Sequence, residues 1–435
     1  MPRSTSQYRT SGSLLKIFSA IIVLGAAGFI AVAVLTKHGS SAASKQSGTA
    51  TTSSGGLITA TTLPRTRHHA GGKSVGKNHN GSKSGTPKSK KVLSQKGSSP
   101  KVTGNKLYVL SANPTAGSVG VNPLAPIEIT FSQPLSPASG TPTVTPATAG
   151  SWKINGNKAV FTPTVPFIPL SDITVSVKNG LTPILSSTGN SLSSNFTLSF
   201  KIKTGSVMRI QELLSLLRYS PLSFAYNGTP VNPTDETAQI KAFYNPPAGK
   251  FTWNQTTWPS ELMQLWQPDN YNVMTRGLVM EFQADHSLLV NGKLTAGLFN
   301  DLLQAMINND VNTGGYNYAL VNKTPPENLT VYHNGKAVIT TQANTGIAAD
   351  PTIDGTYPVF AKYRYQVMHG TNPNGSHYSD PVQFVSYFDG GEAVHYMPRA
   401  YYGIPQSLGC VELPFSTASQ VWPWLAYGTL VTIIN

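Results

Sequence analysis

The chain has 435 residues, with 32 Lys and Arg against 18 Asp and Glu, for a formal charge of +14. That length leaves room for two or three small cores rather than one. The charge is confined to one end: residues 1 to 106 hold 16 of the 32 basic residues and no acid, the first being Glu128, so the remainder carries −2 and excludes a basic nucleic-acid groove.

The single cysteine, Cys410, excludes an intramolecular disulfide. It is either an inert buried thiol or a reactive one, and the residues around it have to decide.

Ile17 to Thr36 is a run of 20 uncharged residues rich in Ile, Val, Ala, Leu and Phe. As a helix it reaches about 30 Å, enough to cross a bilayer. Arg3, Arg9 and Lys16 precede it without an acid, so positive charge places 1–16 in the cytoplasm and everything after Lys37 outside. A cleaved signal peptide is the competing reading, although its apolar region is ordinarily shorter.

Residues 37–106 are Ser, Gly, Thr, Lys and His with almost no large apolar side chain. Such a segment buries too little surface to offset the entropy of ordering and is expected to be a disordered tether, with a root-mean-square reach of about 45 Å. Lys88, Lys90 and Lys91 are either solvated tail or a hold for anionic polymers or lipid headgroups. His68 and His69 lack metal-site spacing.

From 107 to 204 the pattern changes to short β-forming segments, including Ile127 to Phe131 and Ile173 to Val177, punctuated by Gly, Pro, Asn and Ser. That spacing predicts a β-sandwich. "NPTAGSVGVNPLAPIEITFSQPLS" and "GNKAVFTPTVPF" resemble bacterial Ig-like domains, which implies a spacer or scaffold.

Between 206 and 310 the apolar period becomes helical, as in Val207, Ile210, Leu213, Leu214 and Leu217 and again in Leu298, Leu302, Leu303 and Met306. Phe282, Gln283, Asn291, Gly292 and Thr295 fall as in a peptidoglycan-binding-like helical domain, which the segment resembles. It departs from that pattern by an insert, 219–273, carrying Phe251, Trp253, Trp258, Trp266 and Tyr271. These aromatics either stack on sugar rings or anchor the insert to a small core of its own, the second being favoured.

From 326 to 435 the chain again reads as strands, with turn signals at Asn334-Gly335 and Gly390-Gly391. His395 precedes Cys410 by fifteen residues, and a thiol needs a base or a positive neighbour to become a nucleophile near neutral pH. No His, Lys or Arg follows Cys410, so a base must come from upstream, and neither a papain-like order nor a sortase-like downstream Arg is available.

"DPTIDGTYPVF", "FVSYFDGGEAVHYMP", "GIPQSLGCVELP" and "YGTLVTII" occur in the order of the L,D-transpeptidase (YkuD-like) catalytic domain, which this segment resembles. The resemblance implies Cys410 as nucleophile and His395 as its base, with Ser407 and Gly409 shaping the turn and helping to stabilise an oxyanion. His369 and His377 also lie upstream, but their Gly/Asn-rich stretch "VMHGTNPNGSHYSD" suits a substrate-covering loop better than a base, and with Tyr378 they are the candidate substrate-binding residues. Tyr378 and Tyr387 are candidates to line the cleft, with packing favoured for Tyr387 because it falls inside a strand run. Two positions depart from the family: Leu408 stands where His is frequent, and Glu412 where a basic residue often follows the cysteine turn.

The fold expected is therefore multidomain: transmembrane helix, linker, all-β Ig-like sandwich, helical domain with insert, and β-rich catalytic domain. The activity implied is acyl transfer on peptidoglycan stem peptides through a Cys thioester, giving 3-3 cross-links. Glycan and, at the linker, anionic wall polymers would be partners, and carbapenem β-lactams would inhibit. The alternatives are an L,D-carboxypeptidase and an inactive wall-binding scaffold. No cofactor, metal or nucleic acid is implied, and the expected location is the cell membrane with the folded domains in the wall.

Overall fold

The computed structural model describes residues 106–180 and 182–435. The cytoplasmic segment 1–16, the apolar run Ile17–Thr36 and the tether up to residue 105 lie outside the described residues. Among those described, no helix is long and apolar enough to cross a membrane.

The first domain consists of β1 (Val109–Asn113), β2 (Ile127–Phe131), β3 (Thr143–Thr145), β4 (Gly150–Asn155), β5 (Lys158–Pro163), β6 (Asp172–Val177) and β7 (Phe196–Lys201). One sheet runs β1-β2-β5-β4 and the other β3-β6-β7, all antiparallel. Strand alternation dictates the core: Ile127, Ile129 and Phe131 point inward from β2, and Ile173, Val175 and Val177 from β6, all fully buried in one cluster. The sandwich expected from 107 to 204 is the one observed.

Next come α1 (Val207–Leu216), β8 (Leu222–Tyr226), α2 (Glu236–Ala242), β9 (Gly249–Trp253), α3 (Ser260–Met263), α4 (Val273–Asp285) and α5 (Ala296–Asn308). Ser206 and Thr295 cap α1 and α5, accepting from the N–H groups of Arg209 and Leu298. Phe282 enters the core, and its neighbour Gln283 holds the following turn. Its Oε1 accepts from Asn291 N at 3.0 Å and Gly292 N at 2.9 Å, and its Nε2 donates to Lys293 O at 3.1 Å.

The insert has no separate core. Trp258 is buried in the cluster formed by the helices, and Phe251, Trp253, Trp266 and Tyr271 pack against that cluster. The expectation of an independent core fails for a physical reason: a two-stranded hairpin and two short helices bury too little to stand alone.

The last domain comprises β10 (Asn317–Asn322), β11 (Asn328–His333), β12 (Lys336–Gln342), β13 (Gly355–Pro358), β14 (Ala361–Thr371), β15 (His377–Asp389), β16 (Glu392–Tyr396), β17 (Val411–Leu413), α6 (Phe415–Val421) and β18 (Leu430–Ile434). One sheet is ordered β12-β11-β10-β18-β13, the other β14-β15-β16-β17. Val321, Leu329, Val331, Val431 and Ile433 of the first sheet share a core with Val394, Val411 and Leu413 of the second and with Ala418 and Val421 of α6. The expected boundary at 326 is corrected: β10 lies before it and pairs in parallel with the C-terminal β18, a long-range contact that local patterning does not reveal.

The helical and catalytic domains meet without a solvent layer. Tyr316, Tyr318 and Leu430 are buried in the helices' cluster. Gly277 on α4 faces Gly428 just before β18, and a Cβ at Gly277 would meet the Gly428 carbonyl oxygen at 2.7 Å and a Leu430 methyl at 2.9 Å. Gly277→Val is therefore expected to destabilise the protein by about 1–3 kcal/mol. Chemical denaturation of the full chain checks this, and an unchanged midpoint would show that the seam yields freely.

Candidate active site

Two short parallel strands create the site. β16 and β17 pair Val394 with Val411 and His395 with Glu412. Partners in register share a sheet face and successive residues alternate. Val394 and Val411 point into the core, so His395 and Glu412 lie on the opposite face. Extending the register by one residue sets Cys410 beside Ala393, two residues before His395 and on its face. Strand spacing then places the Cα atoms of Cys410 and His395 about 8 Å apart, within reach of a thiol and an imidazole that lean together.

Cys410 is half-buried and packs against Val382, Val385 and Ala393, with Met368, Tyr387 and Met397 at the edge of the same cluster. Its Sγ donates to the Gly391 carbonyl at 3.8 Å. Burial pushes the thiol up to about 12; the backbone N–H of Ala393 opposes this, and the carboxylates of Glu412, Glu392 and Asp350 add to it.

His395 is buried, at 3 % exposure. Its Nδ1 lies 3.0 Å from the Tyr396 carbonyl, and a carbonyl only accepts, so Nδ1 carries the proton and Nε2 is left as the base. Burial lowers its pKa from the usual value, with Glu412 raising it and Arg399 lowering it. The resting pair is thus neutral thiol and neutral imidazole. A dry, acid-flanked site disfavours the free anion.

The turn before β17 is fixed by backbone chemistry. Ser407 Oγ donates to the Cys410 carbonyl at 2.5 Å, and Ser407 N donates to the Thr345 carbonyl at 2.9 Å. Gly409 has φ +92°, where L side chains are strained, and an added Cβ would press on the Glu392 side chain at 3.3 Å. Leu408 is half-buried in this turn. The 343–347 segment that receives Ser407 is held by Glu327, whose carboxylate accepts from Thr345 N at 2.6 Å and Thr345 Oγ1 at 2.8 Å. No motif pointed to Glu327.

Glu412 does not stand uncompensated. Arg399, thirteen residues earlier, meets it in a two-pronged pair, Nε to Oε2 at 2.7 Å and Nη2 to Oε1 at 2.6 Å, and Nη2 also donates to the Gln406 carbonyl at 3.2 Å. The positive charge missing after Cys410 is supplied from the preceding loop, beside His395.

The hairpin β14–β15 covers this face, and the Gly/Asn-rich stretch 367–380 forms its tip: strand as far as Thr371 and again from His377, with the turn 372–376 between them. Met368 packs with Cys410, so its neighbour His369 faces away; His369 and His377 are exposed, and His377 is held by Thr371 across the tip at 3.1 Å. Neither packs with Cys410. Tyr378 lies across Gly370, where a side chain would collide with its ring, and the charge of Cys410 is among the influences on its hydroxyl after burial.

Tyr387 joins it too. Burial pushes its hydroxyl to about 12, and Cys410 is the next influence. In an uninterrupted strand, residues nine apart face opposite ways. Here the register of β15 on β16 shifts between Gln383 and Ser386 and Phe384 takes φ +58°, so alternation is reset and Val382 and Val385 both pack with Cys410. The bulge has no Gly to announce it, so strand alternation alone did not decide between cleft lining and packing for Tyr387, which packs in the Cys410 cluster. Among the described residues no group of three or more His, Cys, Asp or Glu could hold a metal.

A Cys–His pair of this kind, on parallel strands with a Ser-x-Gly-Cys turn, is suited to acyl transfer. Residues 316–433 match the L,D-transpeptidase catalytic domain family, and 104–202 the bacterial Ig-like domain family. The C-terminal domain is an L,D-transpeptidase catalytic domain and the first described domain a bacterial Ig-like domain. No curated protein matches the chain.

Among solved structures, an L,D-transpeptidase from Mycobacterium smegmatis is 14% identical, with 76% of this chain and 100% of that chain covered and a TM-score of 0.26. L,D-transpeptidase 3 from Mycobacterium tuberculosis, in complex with a faropenem-derived adduct, is 16% identical, with coverages of 75% and 98% and a TM-score of 0.25. The catalytic domain of an E. faecium L,D-transpeptidase is 25% identical over 28% of this chain and 100% of that one, with a TM-score of 0.26.

The electrostatics predict a distinctive alkylation profile. Because the thiol titrates near 12 rather than at the usual 9.0, its reaction with iodoacetamide is expected to keep rising about tenfold per pH unit through pH 9. A plateau at or below neutral pH would reveal a preformed thiolate–imidazolium pair instead.

Proposed function

We propose that this protein is a peptidoglycan L,D-transpeptidase that forms 3-3 cross-links through a thioester on Cys410. The carrying observation is the neutral His395, its Nδ1 proton committed to the Tyr396 carbonyl, on the same strand face as Cys410.

As the sulfur attacks the carbonyl joining the third stem residue to the terminal D-Ala, His395 Nε2 takes the thiol proton. The tetrahedral oxyanion is stabilised by N–H groups of the turn around Gly409 and Cys410. The imidazolium returns the proton to the nitrogen of the departing D-Ala as the C–N bond breaks, leaving the thioester. An amine of a second stem peptide then attacks, His395 accepts its proton, and the sulfur leaves as the thiol. General-base removal of the proton during attack fits a thiol whose resting pKa is high.

Ile17–Thr36 anchors the chain in the membrane in this reading. The linker carries the folded domains into the wall, where its lysines meet anionic polymers, and the helical domain holds glycan.

Incubating the full chain with a carbapenem is expected to acylate Cys410 and add the drug's mass, with Cys410→Ala left unchanged. An unmodified wild-type mass would favour a scaffold without activity. With a disaccharide-tetrapeptide as sole substrate, cross-linked dimer marks transfer, whereas tripeptide alone marks a carboxypeptidase.

A further inference from the structure

Glu412 is the residue in register with His395, so its carboxylate starts from the backbone position nearest the base on the neighbouring strand, and on the same face. Its side chain is 5 % exposed, against 29 % for Arg399. A carboxylate that dry needs compensation, and the two-pronged bond from Arg399 provides it.

Three segments converge to hold the pair. Asn344 exchanges both backbone hydrogen bonds with Glu412, at 3.0 and 2.9 Å, and its Nδ2 donates to Glu412 Oε2 at 3.4 Å. Asn344 Oδ1 accepts from Gly403 N at 3.0 Å, and Arg399, in the same loop, reaches the Gln406 carbonyl. Closing the loop does not by itself call for ions, since apolar side chains of similar volume hold such a place equally well. What ions add is a field at the base. With Arg399 gone, a bare carboxylate opposite the ring would stabilise the imidazolium and take the base out of action.

The other charges around the site do not cancel Glu412. Asp380 of β15 acts on His395 in the same sense, while Glu392 and Asp350 join Glu412 in holding the Cys410 proton. Burial keeps the phenols of Tyr378 and Tyr387 beside the sulfur, and of Tyr402 beside the pair, protonated. Against these acids Arg399 supplies the positive charge.

From this geometry we infer that Arg399 is a positioning residue for the reaction at Cys410: paired with Glu412, it cancels the carboxylate directly opposite His395 and keeps that imidazole free to take the thiol proton. This rests on the reading of His395 as base and Cys410 as nucleophile, and the pair acts through the base without touching substrate.

NMR titration of isotope-labelled histidine in the full chain reads the His395 midpoint directly, the signal being assigned by its loss in His395→Gln. Arg399→Gln removes a positive neighbour and is expected to raise the midpoint by about one pH unit. Glu412→Gln removes a negative one and should lower it by a similar amount. Arg399→Lys keeps the charge and should restore most of the wild-type value. The acid limb of carbapenem acylation should move with the midpoint, so that on the acid side of both midpoints Arg399→Gln acylates about tenfold more slowly than wild type. A clasp that only closes the loop would leave the midpoint alone. Midpoints that do not move, that move in the same direction in both Gln variants, or that are displaced as far by Lys as by Gln at position 399 would each overturn the inference. The isosteric Glu412→Gln decides the matter even where Arg399→Gln fails to fold. Because the titration needs no turnover, a wild type that resists carbapenem acylation counts against the catalytic reading and leaves the measured field at His395 standing.

Discussion

The in-register parallel pairing of β16 with β17 is the constraint on which the site depends. It turns two residues fifteen positions apart into neighbours on one face, while the alternate residues of the same strands close the core behind them. The arrangement leaves no freedom of half measures, since a slip of one residue would move His395 or Cys410 to the buried face. Ser407, Gly409 and the Glu327–Thr345 clasp secure that register from the side by tying the cysteine turn to the 343–347 segment. Around this frame, burial and acid neighbours keep the sulfur protonated until a substrate arrives. The buried histidine remains a neutral base ready to take the proton.

Much of this was legible in the residues themselves. Alternation in Ile127–Phe131 and Ile173–Val177 predicted the sandwich, and the cap at Thr295 and the Gln283 turn appear where the helical pattern put them. Chain order, with no basic residue after Cys410, placed the base upstream, and the resemblance to the catalytic family singled out His395. Ser407 and Gly409 lie in the turn that ends at Cys410, the one bonded to the Cys410 carbonyl and the other at positive φ.

What escaped sequence reading shares one physical character: it depends on distant segments or on a local break in period. β10 is defined by its pairing with the far end of the chain. Arg399 answers Glu412 from another loop, so a charge reversal that looked disruptive along the sequence is balanced in space. The bulge at Phe384 inverts the facing of everything beyond it, which brought Tyr387 to the site. The Gly/Asn-rich stretch that carries His369 and His377 is the tip of a long hairpin, whose strands the local composition did not announce.

The placement of β10 in the middle of its sheet has a practical outcome for dissecting the molecule. It separates β11 from β18, and its Tyr318 side chain is embedded among the helices. A fragment cut at 326 would leave β11 and β18 with raw, unpaired edges and strip an aromatic plug from the neighbouring module, inviting self-association rather than a tidy isolated enzyme. The helices and the catalytic sheet are better regarded as a single folding partnership than as beads on a string.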